Sequence, residues 1–252
     1  MNGLLLQVWA SISTPVEKRL FSEYGAIFTT TATPPPTLIF SDARAVESFQ
    51  SSLAVQGARL GEYEVELQAA AWEALSDASR EMVARGGSIT ARAADSGRRS
   101  YQTTVDLWTR NVRRGLEHWQ TQGRIASELA QRIGRMTPVE QVAAIIELED
   151  SESVYFGTFF NRSILYSVAA PGASQHLSLL AFDVAEYQDD RVEAVLAQHG
   201  WHRTVPHDTP HFTYLGYRTN ALEDLGLRRL VHRYGERGYG FWIPDLELLN
   251  LA

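Results

Sequence analysis

Cysteine does not occur in this 252-residue chain. That absence excludes disulfide scaffolds, cysteine-ligated zinc ribbons, iron–sulfur clusters and thiol nucleophiles together. It leaves the compartment open, since an exported protein can also lack cysteine. A hydrophobic run of membrane-spanning length is missing as well. The most apolar early stretch, Leu4–Ile12, is broken by Gln7 and Ser11 and falls short of the ~20 residues a span needs. No basic residue precedes Lys18, so the stretch lacks the charged start of a signal peptide. Nor is there an excess of positive charge: 23 Lys and Arg stand against 30 Asp and Glu, a net −7. This balance argues against nucleic acid and anionic membranes as partners. Several catalytic signatures are also absent, among them the Gly-x-Ser-x-Gly elbow, the Gly-x-x-x-x-Gly-Lys phosphate loop, Gly-x-Gly-x-x-Gly and His-Glu-x-x-His.

With 44% hydrophobic residues, the chain is long enough to bury a core without covalent staples, in one or two domains. Thr14-Pro15-Val16-Glu17 is a capping box with proline at the first helical position and predicts a helix to about Tyr24, closed by Gly25. Ala26–Thr29 and Thr37–Phe40 read as strands around Pro34-Pro35-Pro36, and Ser41 as the cap of a helix through Phe49. From Glu64 the apolar spacing Leu67, Ala71, Leu75, Ala78, Met82 predicts a helix ended by Gly86-Gly87. Ser88–Ala91 is a short strand candidate, and Asp95–Ser100 a loop. A long amphipathic helix follows, with Tyr101, Val105, Trp108, Val112, Leu116 and Trp119 on its core face. A second capping box, Thr137-Pro138-Val139-Glu140, starts a helix through Leu148, whereas Val154–Gly172 is aperiodic and reads as irregular structure. Leu180–Val184 and Phe212–Leu215 read as strands, Asp189–Gln198 and Leu222–Tyr234 as helices. The whole predicts an α+β fold, a small central antiparallel sheet flanked by helices, with residues 1–60 as an N-terminal α+β extension and 61–252 as the main domain.

Of seven histidines, five fall between His176 and His211. The chemistry-bearing set there is Ser174-Gln175-His176, then Asp183, then Asp208-Thr209-Pro210-His211. As a metal site, two imidazoles and one carboxylate suit zinc, and three protein ligands leave a position for water. Zinc lowers the pKa of that water to ~7. Asp208, three residues before a ligand histidine, is placed to act as base. Taken alone the His-x(6)-Asp spacing is common by chance, and His199, His202 and His207 read as ordinary core or surface imidazoles. An odd separation also puts His176 and Asp183 on opposite faces of a straight strand. A bend after His176 is therefore required if both bind one ion.

Pro171-Gly172-Ala173-Ser174-Gln175-His176, continuing through Leu177-Ser178-Leu179-Leu180-Ala181-Phe182-Asp183, resembles the first motif of the zinc D-alanyl-D-alanine carboxypeptidases, dipeptidases and related peptidoglycan endopeptidases. Ser96-Gly97-Arg98-Arg99-Ser100 is similar to that family's Ser-Gly-Tyr-Arg-Ser loop, and Asp208–Gly216 to its Glu-x-Trp-His-(Tyr/Phe)-x-Tyr-(Val/Leu)-Gly segment. His199-Gly200-Trp201 is similar to the Gly-Phe/Gly-Trp turn that lies between its motifs, and the likeness covers about Leu67 to Gly216. The resemblance implies a single zinc ion held by His176, Asp183 and His211 in a cleft, with Asp208 as general acid/base. It further implies Arg99 facing the substrate carbonyl or carboxylate, with Arg98 as its neighbouring competitor, and Ser174 near the substrate. It implies a peptidoglycan stem peptide as substrate, cut at D-Ala–D-Ala, or alternatively at L-Ala–D-Glu or a cross-link, and hence an exported protein. The alternative from another class is a non-catalytic wall-binding protein with the same fold. Four residues depart from the pattern. Leu179 stands where glycine is usual, which implies a stiffer bend or crowding at the zinc. Pro210 replaces tryptophan, Arg98 replaces tyrosine, and Asp208 replaces the glutamate usual in the carboxypeptidases, as in the L-alanyl-D-glutamate endopeptidase branch.

Overall fold

The computed structural model describes residues 2–251. Its helices are α1 (Gly3–Ser11), α2 (Pro15–Tyr24), α3 (Ala43–Ser51), α4 (Ala69–Ala84), α5 (Tyr101–Thr121), α6 (Ser127–Gly134), α7 (Pro138–Glu152), α8 (Asp190–Gln198) and α9 (Leu246–Leu249). Its strands are β1 (Val55–Leu60), β2 (Tyr63–Gln68), β3 (Ala181–Asp183), β4 (Trp201–His202), β5 (His211–Tyr214), β6 (Leu227–Tyr234) and β7 (Arg237–Pro244). The fold is α+β, but its strands form three small antiparallel sheets, β1-β2, β3-β5-β4 and β6-β7, rather than one central sheet. No helix among the described residues is long and apolar enough to cross a membrane.

Both capping boxes form. Thr14 accepts from the Glu17 amide and Thr137 from the Glu140 amide, while each glutamate reaches back to its cap. Elsewhere the local expectations need correction. Gly25 keeps a right-handed φ of −67°, so the chain coils on through a buried 3₁₀ turn, Gly25–Thr29, instead of opening into a strand. Residues 37–40 form no strand; Phe40 donates one backbone bond to the Gly172 carbonyl (3.0 Å). Asp42, not Ser41, caps α3, accepting from the Ala45 amide at 2.9 Å. Ser88–Ala91 contributes only an isolated bridge, Ala91 to Val184.

Two hairpins replace expected helix. Residues 64–68 belong to β2, where Val65 and Leu67 alternate into the core, and α4 starts only at Ala69. Leu227–Tyr234, expected as the end of a helix from Leu222, is β6. The cause is the same in both places: a two-residue Gly-Glu loop, Gly61-Glu62 and Gly235-Glu236, with Leu60 paired to Tyr63 and Tyr234 to Arg237. The glycines take φ of +70° and +63°, the left-handed first position that a tight antiparallel turn demands.

Two apolar clusters build the interior. One gathers α4, α8 and the three-stranded sheet with Leu5, Phe21, Ile27 and Phe28 from the first 60 residues. The other gathers α5, α6, α7 and the irregular 154–173 segment with Leu20 and Tyr24. Glu149 organises that segment, accepting from the Phe156 and Ile164 amides (2.9 and 2.7 Å) and the Ser163 hydroxyl (2.6 Å). The candidate site lies in a cleft lined by Tyr24, Leu165 and Val205 of the second cluster.

Candidate metal centre

β3 and β5 pair so that Asp183 lies directly opposite His211, with Phe182 opposite Phe212. Directly opposed residues share a face, so the phenylalanines enter the core while Asp183 and His211 face the cleft. His176 arrives from before β3. Gln175–Ser178 makes a 3₁₀ turn, and Leu179 then adopts a left-handed φ of +56° before the chain straightens. This is the bend that the odd His176–Asp183 spacing requires. A left-handed leucine costs roughly 1–2 kcal/mol; its fully buried side chain, the bond from its amide to the His176 carbonyl (3.2 Å) and that from the Gln68 amide to its own carbonyl (3.0 Å) hold it there.

One nitrogen from each imidazole and one oxygen of Asp183 lie within 4.8 Å of one another, a group that can hold a metal ion. His176 Nε2 is 3.3 Å and His211 Nδ1 3.2 Å from the same Asp183 oxygen, Oδ1. The far nitrogen of each ring fixes the tautomer. His176 Nδ1 is 2.9 Å from the Gly97 carbonyl, which only accepts, so Nδ1 carries the proton. His211 Nε2 is 3.0 Å from Gln175 Oε1. Gln175 is itself oriented, because its amide donates to the Tyr24 carbonyl (3.0 Å) and its oxygen receives the Thr204 and Thr213 hydroxyls. His211 Nε2 therefore donates. In the neutral rings, both inward nitrogens present lone pairs to a carboxylate oxygen.

That convergence is repulsive without a cation. Burial lowers the His176 pKa, opposed by Asp183 but reinforced by Arg99 and His211, so the ring is neutral at pH 7. Burial also works against a charge on Asp183, yet the attraction and hydrogen bonds that His176 and His211 offer when they carry protons outweigh it and hold the carboxyl well below the usual range. A proton is disfavoured on the imidazole while the carboxylate stays ionised. The missing positive charge fits a metal ion, with each imidazole held by a protein acceptor behind it, as ligand histidines usually are.

Arg99 donates to Asp95 Oδ2 (3.1 Å) and Asp183 Oδ2 (3.4 Å) and lines the same cleft. Arg98 turns away, to Gln50 and Glu66 at 3.0 Å each, and drops out as a competitor. Ser174 and Asp208 also line the cleft, whose volume is about 460 Å³. Asp208, although exposed at the surface, is raised above the usual carboxylate range by hydration lost to the surrounding cleft and then by the charge of Asp183, offset in part by His211, Arg99 and Arg92. Its loop is tied by Arg203, whose Nε donates to the Thr209 carbonyl (2.6 Å).

The other histidines divide. His199 bonds Glu81 and His202 the Tyr217 carbonyl, both at 2.8 Å and away from the cleft. His207 does line it, packed between the rings of Tyr166 and His232 at 4.0 and 3.9 Å. Two further cleft residues escaped sequence reasoning. Gln175 sits inside the quoted motif, next to the candidate ligand His176, and that adjacency is the available signal. Tyr24 comes from α2 and lines the cleft; its buried hydroxyl meets no well-formed hydrogen-bond partner among the described residues, and no motif announces it. Comparison of the chain with protein-family models, curated proteins and solved structures finds no match.

Proposed function

We propose that the chain is a zinc-dependent peptidase of peptidoglycan stem peptides, acting first on D-Ala–D-Ala, with L-Ala–D-Glu or cross-link bonds as alternatives. The observation that carries the hydrolase reading is the convergence of two imidazole lone pairs and one carboxylate oxygen, at His176, His211 and Asp183, on the wall of a peptide-sized cleft. A nitrogen–nitrogen–oxygen donor set backed by protein acceptors suits zinc with an open position. The stem-peptide substrate rests on the resemblance of the three motifs, and such a substrate implies export to the periplasm or cell surface.

Bound zinc would polarise a substrate carbonyl and bring the pKa of water near neutrality. Asp208 takes a proton from the attacking water and returns it to the leaving amine; a carboxyl raised above its usual range is better matched to that exchange. Arg99, steadied by Asp95 and Asp183, presents its guanidinium to the negative charge developing on the carbonyl oxygen. Ser174, buried in the cleft wall, holds the peptide by hydrogen bonding. The left-handed turn at Leu179 supports the reading, since the bend is made without the glycine usual there.

The test is metal content followed by product analysis. Purified protein is expected to carry one zinc per chain, lost in His176→Ala and His211→Ala, and to release defined fragments from synthetic stem peptides weighed by mass spectrometry. No stoichiometric zinc would overturn the metal reading. Zinc with peptide binding but no cleavage would leave a wall-binding protein.

A further inference from the structure

The cleft extends from the metal centre along α5, where Leu107, Arg110, Asn111 and Arg114 line it. Their spacing of three, four and seven residues puts them on one helical face. Arg110 and Arg114 are exposed, one turn apart, and among the described residues neither guanidinium lies within ion-pair distance of an acid. Arg114 is held in place by the irregular segment: its Nη2 donates to the Thr158 carbonyl (3.4 Å) and its guanidinium lies 5.7 Å from the Phe160 ring centroid. In a chain of net charge −7, two unpaired cations facing one cleft form a local field of the opposite sign.

We propose that Arg110 and Arg114 form a carboxylate-binding subsite that selects extended peptides with an acidic group about four residues from the bond presented to His176, Asp183 and His211. The register follows from helix geometry. Arg110 lies nine residues beyond Tyr101, where α5 begins next to Arg99; at about 1.5 Å per residue that is roughly 14 Å. An extended peptide covers this distance in about four residues at ~3.3 Å each. A guanidinium pair one turn apart suits a carboxylate, which accepts two parallel N–H bonds. The register rests on the peptidase reading; the existence of the subsite does not.

The experiment measures binding, not turnover, on the full chain. The probes are glycine–alanine hexapeptides, in L- and D-residue series, with one glutamate moved through every position, each paired with its glutamine counterpart. Titration calorimetry on metal-stripped wild type is expected to show about tenfold tighter binding of glutamate at one position, as a charge-assisted bond supplies. The preference should vanish in R110Q/R114Q, persist in part in R110K/R114K and weaken with added salt, while zinc uptake of both variants stays at the wild-type level. Glutamate and glutamine peptides within about twofold of each other at every position, or a preference that survives R110Q/R114Q, would overturn the subsite. Zinc uptake and stem-peptide cleavage without a glutamate preference would refute it and leave the peptidase reading standing. A glutamate preference in a chain that takes up no zinc would do the reverse.

Discussion

Asp183→Asn separates a metal chelate from a hydrogen-bonded histidine pair, because the two arrangements predict opposite signs. In the metal-free chain, Asp183 Oδ1 lies 3.3 Å from His176 Nε2 and 3.2 Å from His211 Nδ1, and in the chelate arrangement both nitrogens present lone pairs to it. An asparagine amide in that place donates one N–H to each. Two new bonds at about 1 kcal/mol apiece outweigh the weakened pairing with Arg99, 3.4 Å away, which costs about 1 kcal/mol or less. The chelate arrangement therefore predicts a metal-free Asp183→Asn more stable than wild type by about 1 kcal/mol, or ~2–4 °C in Tm for a chain of this length, whereas protonated histidines, the arrangement that holds the Asp183 carboxyl low, predict a less stable one. Zinc reverses the order. At a free concentration about 100 times its Kd it stabilises wild type by ~2.7 kcal/mol, or roughly 5–10 °C, and leaves the variant nearly unmoved. Urea unfolding and thermal scans with and without zinc read the crossing directly. A metal-free variant less stable than wild type would show that the histidines are protonated and ion-paired to Asp183, and the chelate argument would fall. An unchanged zinc response in the variant would remove Asp183 from the ligand set.

Three other outcomes probe the surroundings. Gln175→Leu deletes the acceptor of the His211 Nε2 proton and should weaken zinc about 10–100-fold in a chelator competition, with the three ligands intact; an unchanged affinity would show that the tautomer is fixed otherwise. Tyr24→Phe removes a buried hydroxyl that meets no well-formed hydrogen-bond partner among the described residues. It should leave stability equal or raise it by about 1 kcal/mol while, on the proposed peptidase activity, raising KM for stem peptides, and an unaltered KM would take Tyr24 out of substrate contact. His207, crowded by burial and then by the charges of His232 and Arg162, has its pKa lowered from 6.5 to about 4. The unfolded chain thus binds more protons between those values, so this contribution is complete above about pH 6.5 and is lost as pH falls toward 4. After allowance for solvent it amounts to roughly 1–2 kcal/mol at about pH 5. Urea unfolding of His207→Phe should show a correspondingly shallower loss of stability on acidification, and a slope equal to wild type would refute the assignment.

The elements legible in the sequence are those whose signal is local. Thr14 and Thr137 with their glutamates announce two helix starts, and the apolar period from Trp108 to Leu116 announces α5. Strands that need a distant partner are less legible. Residues 26–29 and 37–40 have strand-like composition but nothing to pair with, whereas 64–68 and 227–234 have helix-like spacing and are strands because a Gly-Glu loop folds each back on its neighbour. Apolar spacing over five or six residues does not separate the periods 2 and 3.6. A positive-φ glycine at the turn decides instead.

The site divides along a similar line. His176, Asp183, His211, Asp208, Arg99 and Ser174 all come to one cleft, and each is a residue type whose chemistry can be named from sequence. The groups that fit this cleft to hold a metal ion are of another kind. Gly97 serves through its carbonyl, Tyr24 orients Gln175 through its carbonyl, and Leu179 serves through its φ. A backbone carbonyl belongs to every residue type, so no motif marks the ones that matter. Yet these contacts decide which nitrogen of each imidazole is free, and with it whether His176 and His211 repel Asp183 or share a cation with it. The histidines can be listed from the sequence, but their donor atoms can be assigned only from the fold.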